Sequence, residues 1–113
     1  MIVRVIFTAA LSLLLHLVLG WAWTLGAGIL GGVLAERHGW MVGAAGVGVG
    51  WMALVGYSSA VAPGATGALL DILSGLFGNI PAILVVVCTV FIGVLLGALG
   101  GVLGTTGRAL LSR

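Results

Sequence analysis

The chain has 113 residues, enough for one domain, and is 62% hydrophobic and only 5% charged. A soluble surface normally carries about 25% charged residues, so this composition, with a mean hydropathy of +1.40, excludes an ordinary water-soluble globule. Four arginines, two acids and two histidines leave a net charge of +2, too small and too scattered for nucleic acid, and the single cysteine, Cys88, excludes an internal disulfide and a cysteine-based zinc site.

The opening MIVR before an apolar stretch has the layout of a secretory signal, yet no A-x-A-like site follows and apolar segments continue through the chain. Residues 5–35 form a nearly unbroken apolar run. As one helix it would be about 46 Å long, against about 30 Å of hydrocarbon. It is therefore either one strongly tilted span or two short spans joined by a tight turn. Trp21 and Trp23, beside Gly20, sit in mid-run, and tryptophan belongs at the membrane interface, which favours a hairpin there. Each arm would be short for a bilayer, about 22 Å, and would require local thinning or low tilt. Arginine placement supports the hairpin. With four spans and an inside N-terminus, Arg4, Arg37, Arg108 and Arg113 all face the cytoplasm, whereas three spans place one of them outside.

The expected architecture is all-α: a membrane bundle with spans at about 5–19, 22–35, 40–62 and 81–104. Glu36, Arg37 and His38 form the inner turn, and Trp40 is an anchor beside it. The third span ends at Pro63-Gly64, a strong breaker pair. In residues 66–80, Leu69, Ile72, Leu73, Leu76 and Ile80 recur at helical spacing opposite Gly67, Asp71, Ser74 and Gly78, the pattern of a short interfacial helix. Pro81 then opens the last span.

Glycine organises these spans. Gly39, Gly43, Gly46 and Gly50 follow a 4-3-4 spacing on one helical face, repeated at Gly93, Gly97, Gly100 and Gly104 and continued to Gly107. Gly28 and Gly32 add a third small-residue face, completed by Ala35. Each interior glycine costs a water-exposed helix about 1 kcal/mol; in a bilayer it lets backbones approach closely. Gly46 and Gly100, central in their seams, are expected at similar depth and as possible partners, with Val47 and Val49 off the face. All these seams fall in the cytoplasmic half of the four-span arrangement, with Thr8, Ala9 and Ser12 at matching depth, so the helices should converge there and splay toward the outside.

The runs AGILGGVLAERHGWMVGAAGVGVGW (residues 27–51) and GVLLGALGGVLG (residues 93–104) resemble small four-span bacterial membrane proteins of the YrzE-like type. The resemblance implies four spans and brings no site residues. The chain departs from that group in carrying one arginine in a turn that tends there to hold several basic residues.

Candidate chemistry is sparse. His16 is the only ionisable side chain well inside a span, and such residues are costly to bury and are functional candidates by default. It could be a proton carrier or the axial ligand of a haem or chlorin; the bland alternative is a neutral imidazole bonded to Tyr57, Ser58 or Ser59. With no second histidine facing it, a metal site is not expected. His16, Tyr57, Ser58, Ser59, Cys88 and Thr89 form an expected outer polar cluster. Asp71 reads as a solvated face residue. The glycines do not form a phosphate loop, since no Gly-Lys-Ser/Thr follows them. The leading expectation is a non-enzymatic structural or accessory subunit, without a cofactor, whose glycine seams join copies of itself or a larger membrane complex in the lipid bilayer. The alternatives are a channel or carrier with an outer vestibule near His16 and Tyr57, and a cofactor-binding protein using His16.

Overall fold

The apolar run at the start of the chain is two helices. In the structure, a computed structural model describing residues 2–35 and 37–112, α1 covers Ile2–Leu19 and ends at Gly20. Gly20 has a φ of 109°, a conformation that disfavours any Cβ. A single 3-10 turn, Trp21–Trp23, then leads into α2, Thr24–Leu34. The Thr24 hydroxyl donates to the Trp21 carbonyl at 2.6 Å and closes this corner. The remaining helices are α3 (Gly39–Val61), α4 (Pro63–Leu76) and α5 (Ala82–Leu111). No strand occurs among the described residues.

Three helices, α1, α3 and α5, are long and apolar enough to cross a membrane, with 18, 23 and 30 residues. The stretch Trp21–Leu34 is apolar but shorter. Large apolar side chains such as Leu17, Val18, Met52 and Phe91 are exposed along the bundle, an arrangement unstable in water but suited to lipid. The molecule measures 51 × 27 × 23 Å, so its long axis exceeds the roughly 40–45 Å of a complete bilayer.

Two boundaries differ from expectation. α5 continues seven residues beyond 104, to Leu111, because Thr105 and Arg108 hold its last turns against α2. α4 begins at Pro63, whose fixed φ suits a first helical turn. The side of α4 nearer the bundle carries Thr66, Gly67, Leu70, Leu73 and Ser74, while Leu69, Ile72 and Leu76 are exposed. Of the expected inner turn, Glu36 lies outside the described residues, as does Arg113; Arg37 and His38 are exposed there.

The glycine faces divide between neighbours. On α5, the row Gly93, Gly97 and Gly101 faces α3: a Cβ at Gly93 would meet the Trp51 indole at 2.7 Å, and one at Gly97 or Gly101 would overlap the carbonyl of Gly43 or Gly39. Gly100 and Gly104 face α2 instead, against the backbone of Leu25, Ile29 and Val33. α3 divides likewise. Gly39 and Gly43 lie on α5, whereas Gly46 lies on Thr8 and Gly50 on Ser12, both of α1. On α2, Gly28 approaches Gly97 and Gly100, and Gly32 approaches Gly101.

Gly46 and Gly100 are thus not partners: they serve opposite sides of the bundle. Val47 is also not off the face. It is fully buried, and its Cβ would be 2.8 Å from a Cβ at Gly97. Val49 is half exposed, as expected.

Polar side chains join the same interfaces. Thr8, fully buried, donates to the Arg4 carbonyl at 2.8 Å, with its hydroxyl side against Gly31 and its methyl against Gly46. The Thr105 hydroxyl sits 2.9 Å from the Gly101 carbonyl and 3.3 Å from the Gly32 carbonyl. It has one hydrogen to give, so the two acceptors share it across the α5–α2 contact. Thr105→Val, which keeps the shape and removes the donor, is expected to cost about 1 kcal/mol in detergent thermal unfolding; an unchanged midpoint would show that this bond contributes nothing.

Candidate binding cavity

Beyond Trp51 the α3 sequence changes from glycine to Leu54, Val55 and Tyr57, and the helices separate. On α5 the same transition runs backward from Gly93 to Thr89, Val86 and Val85. Large side chains on both helices prevent the backbone approach seen in the glycine half, and a cavity of ≈ 570 Å³ opens between them. α4 forms its roof through Ala65, Thr66, Leu69, Leu70 and Leu73, and α1 contributes His16.

Trp51 is the floor. Its indole rests against Gly93, with Ala27 and Val47 in the same core cluster and Leu11, Leu15 and Leu96 around it. The side chain is 7% exposed. It separates the close-packed half of the bundle from the open half. This tryptophan is a core residue, not an interfacial one, unlike the exposed Trp21, Trp23 and Trp40. Sequence reasoning missed it. The available signal was its place immediately after Gly50, at the end of a seam whose partner helix offers a glycine to receive a flat ring.

His16 lies edge-on to Trp51, with ring centroids 5.6 Å apart and planes at 86°. The expected hydrogen bond to Tyr57, Ser58 or Ser59 is not made. His16 Nδ1, Trp51 Nε1 and Ser12 Oγ are all buried without a hydrogen-bond partner among the described residues. Ser12 stands one helical turn before His16 on α1 and packs on Gly50, next to Trp51. The three therefore form one unsatisfied cluster at the α1–α3 contact, where each orphaned group ordinarily costs about 1–3 kcal/mol.

Of the expected outer polar cluster, His16, Tyr57, Ser58 and Thr89 line the cavity. Ser59 and Cys88 do not; both are exposed on the outer surface of their helices. Thr66, not anticipated, joins the wall. The hydroxyls of Thr66 and Thr89 are already committed, donating to the carbonyls of Ser58 at 3.0 Å and Val85 at 2.9 Å. Among the described residues no charged side chain lines the cavity; Asp71 is exposed on α4. Nor does any group of three or more His, Cys, Asp or Glu residues gather into a metal site among the described residues.

The roof is lightly held. α4 has no buried residue. Besides the Thr66 bond, Ser74 Oγ donates to the Ile80 carbonyl and Asn79 N donates to the Ser74 carbonyl at 2.9 Å. The reversal into α5 places Gly78 and Asn79 at φ values of 88° and 60°. Asparagine is among the side chains that best tolerate this left-handed region.

A second, shallower groove lies at the opposite end, between Ile29 and Val33 of α2 and Leu103, Gly107 and Arg108 of α5. There Arg108 donates to the Val33 carbonyl at 3.1 Å. Comparison with protein-family models, curated proteins and solved structures returned no match.

Proposed function

We propose that this chain is a non-enzymatic integral membrane protein that crosses the bilayer four times, with both termini cytoplasmic, and binds a small membrane-dissolved molecule in the cavity above Trp51. The observation that carries the reading is the cavity itself. Its size falls in the ligand-pocket range of about 300–1,000 Å³, with a largely apolar wall and a few convergent polar groups. It occupies the place of the vestibule expected near His16 and Tyr57, the carrier-like alternative.

The accessory-subunit reading loses its main support. It depended on glycine faces in excess of what one chain can use. Within α2, α3 and α5, however, every glycine except Gly56 and Gly107 meets another helix of the same chain.

Four spans are supported by the corner at Gly20 and by charge. The register of Thr8 with Gly46 brings the start of α1 to the end of the bundle that carries Arg37 and Arg108. In a membrane, the positive-inside rule makes that end cytoplasmic. Reporter fusions at Arg4 and Arg113 should both read cytoplasmic, and a fusion within Pro63–Ile80 external. Opposite locations for the two termini would rule out the topology.

Binding is tested with Trp51 as the reporter, after exposed Trp21, Trp23 and Trp40 are replaced by Phe. In nanodiscs, 4-bromobiphenyl, a neutral lipophile whose bromine quenches indole, should quench Trp51 saturably. A Trp21-only variant, facing lipid, should show quenching that rises with probe without saturating. Val86→Phe, which fills the cavity, should abolish the saturable component. If Trp51 is not quenched, or follows Trp21, the cavity does not take a ligand.

A further inference from the structure

Resting on the binding reading above, we propose that the cavity selects a neutral lipophile bearing a carbonyl-type oxygen, and that His16 and Trp51 receive that oxygen. The charge argument comes first. An ionised ligand would lose its hydration shell on entering, and among the described residues no charged side chain lines the wall to replace it. The ligand is therefore neutral.

Hydrogen-bond inventory supplies the rest. The indole Nε1–H of Trp51 can only donate. It is buried without a partner, on a side chain more than nine-tenths buried that forms the cavity floor. The neutral imidazole of His16 carries one N–H and one acceptor nitrogen, and its Nδ1 is also unpartnered. The Thr66 and Thr89 hydroxyl hydrogens are spent on backbone carbonyls. At the floor the indole N–H is a donor without a partner, and a ligand oxygen would supply the lone pair that pairs it. The apolar body of such a ligand would lie against Leu54, Leu73 and Val85.

Both nitrogens are closed off in the present arrangement, with the His16 ring edge-on to Trp51. Receiving a ligand oxygen therefore requires the His16 ring to turn and open the indole N–H to the cavity. A ketone or quinone ring and the ester group of a phospholipid both present the required oxygen.

The test uses the full chain in nanodiscs with Trp51 as its only tryptophan. Benzophenone should displace 4-bromobiphenyl at least about tenfold more strongly than diphenylmethane, which has the same shape without the oxygen, as one buried hydrogen bond implies. The charged 4-benzoylbenzoate should compete poorly. With 15N-labelled tryptophan, benzophenone should move the single indole N–H resonance downfield, and diphenylmethane should not. His16→Leu should reduce the ketone preference, read as the ratio of benzophenone to diphenylmethane displacement within the same variant; His16→Gln, which keeps a hydrogen-bonding side chain, should retain part of it.

Equal displacement by ketone and hydrocarbon would overturn the oxygen-recognition proposal and leave the binding reading standing. So would an indole resonance that ignores the ketone, or stronger competition by the carboxylate. Loss of 4-bromobiphenyl quenching altogether would overturn both. Nanodiscs of ether-linked and ester-linked phospholipid separate the two sources: weaker benzophenone binding in ester lipid assigns the site to the lipid ester, and equal binding assigns it to a free lipophile.

Discussion

Gly97→Ala is expected to destroy or severely destabilise the native species, although it adds only one methyl group. A Cβ at Gly97 would overlap the Gly43 carbonyl and sit 2.8 Å from the Val47 Cβ. Overpacking in a core typically costs about 1–3 kcal/mol. Here the obstructing atoms are mostly backbone, with no flexible side chain to swing aside, so the upper end of that range or more is expected. Gly56→Ala and Gly107→Ala provide the contrast. Both positions are helical with nothing within 4 Å of the added carbon, so each change should be neutral or stabilising by up to about 1 kcal/mol. Size exclusion and thermal unfolding in detergent measure all three. If Gly97→Ala unfolds like Gly107→Ala, α3 and α5 do not meet along their glycine row.

The second large effect separates the two sides of the bundle. Gly46→Leu should push α1 away, since a Cβ there already lies 2.5 Å from the Thr8 side chain. Gly100→Leu should push α2 away, since its Cβ would lie 2.6 Å from the Leu25 carbonyl. Each should cost at least about 1–3 kcal/mol. Because the two residues touch no common partner, their costs should add within about 0.5 kcal/mol when combined. Gly46→Ala should be partly rescued by Thr8→Gly, which removes the obstructing Cβ and methyl; Gly100→Ala should not. Rescue of both or of neither would place the helices differently.

The glycines themselves were legible in the sequence, but their partners were not. Along a helix of 3.6 residues per turn, a step of four turns the direction by about +40° and a step of three by about −60°. A 4-3-4 series therefore keeps four glycines within an arc of about 60°. When two helices border that arc, spacing alone cannot assign a residue to one or the other. Gly43 and Gly46 are three residues apart and face different helices for this reason. Gly101, which continues the row of four from Gly97, was hidden by the competing step to Gly100.

The burial of Trp51 was illegible for another reason. Interfacial preference was the strongest general statement available for a tryptophan in an apolar chain, and only the position of Gly93 in space reveals the slot that buries it. His16 was legible as an intramembrane histidine. Its edge-on neighbour was not: Thr8, Ser12 and His16 recur every four residues on α1, but that spacing does not say which helix their face meets. The corner at Gly20 was readable because Trp21 and Trp23 mark an interface where an uninterrupted helix would put the hydrocarbon centre.

One consequence concerns the order in which the molecule can assemble. α5 is wedged between α2 and α3, touching the first through Gly100 and Gly104 and the second through Gly93, Gly97 and Gly101. Among the described helices it is also the last to be synthesised. Until residues 93–104 have entered the bilayer, Gly28, Gly32, Gly39 and Gly43 lack the backbone against which they rest, and the Trp51 ring lacks its glycine slot. The α1 contacts of Gly31, Gly46 and Gly50 require no later segment. Biosynthesis thus delivers a hairpin-and-helix intermediate first, and insertion of the C-terminal helix converts it into the native bundle.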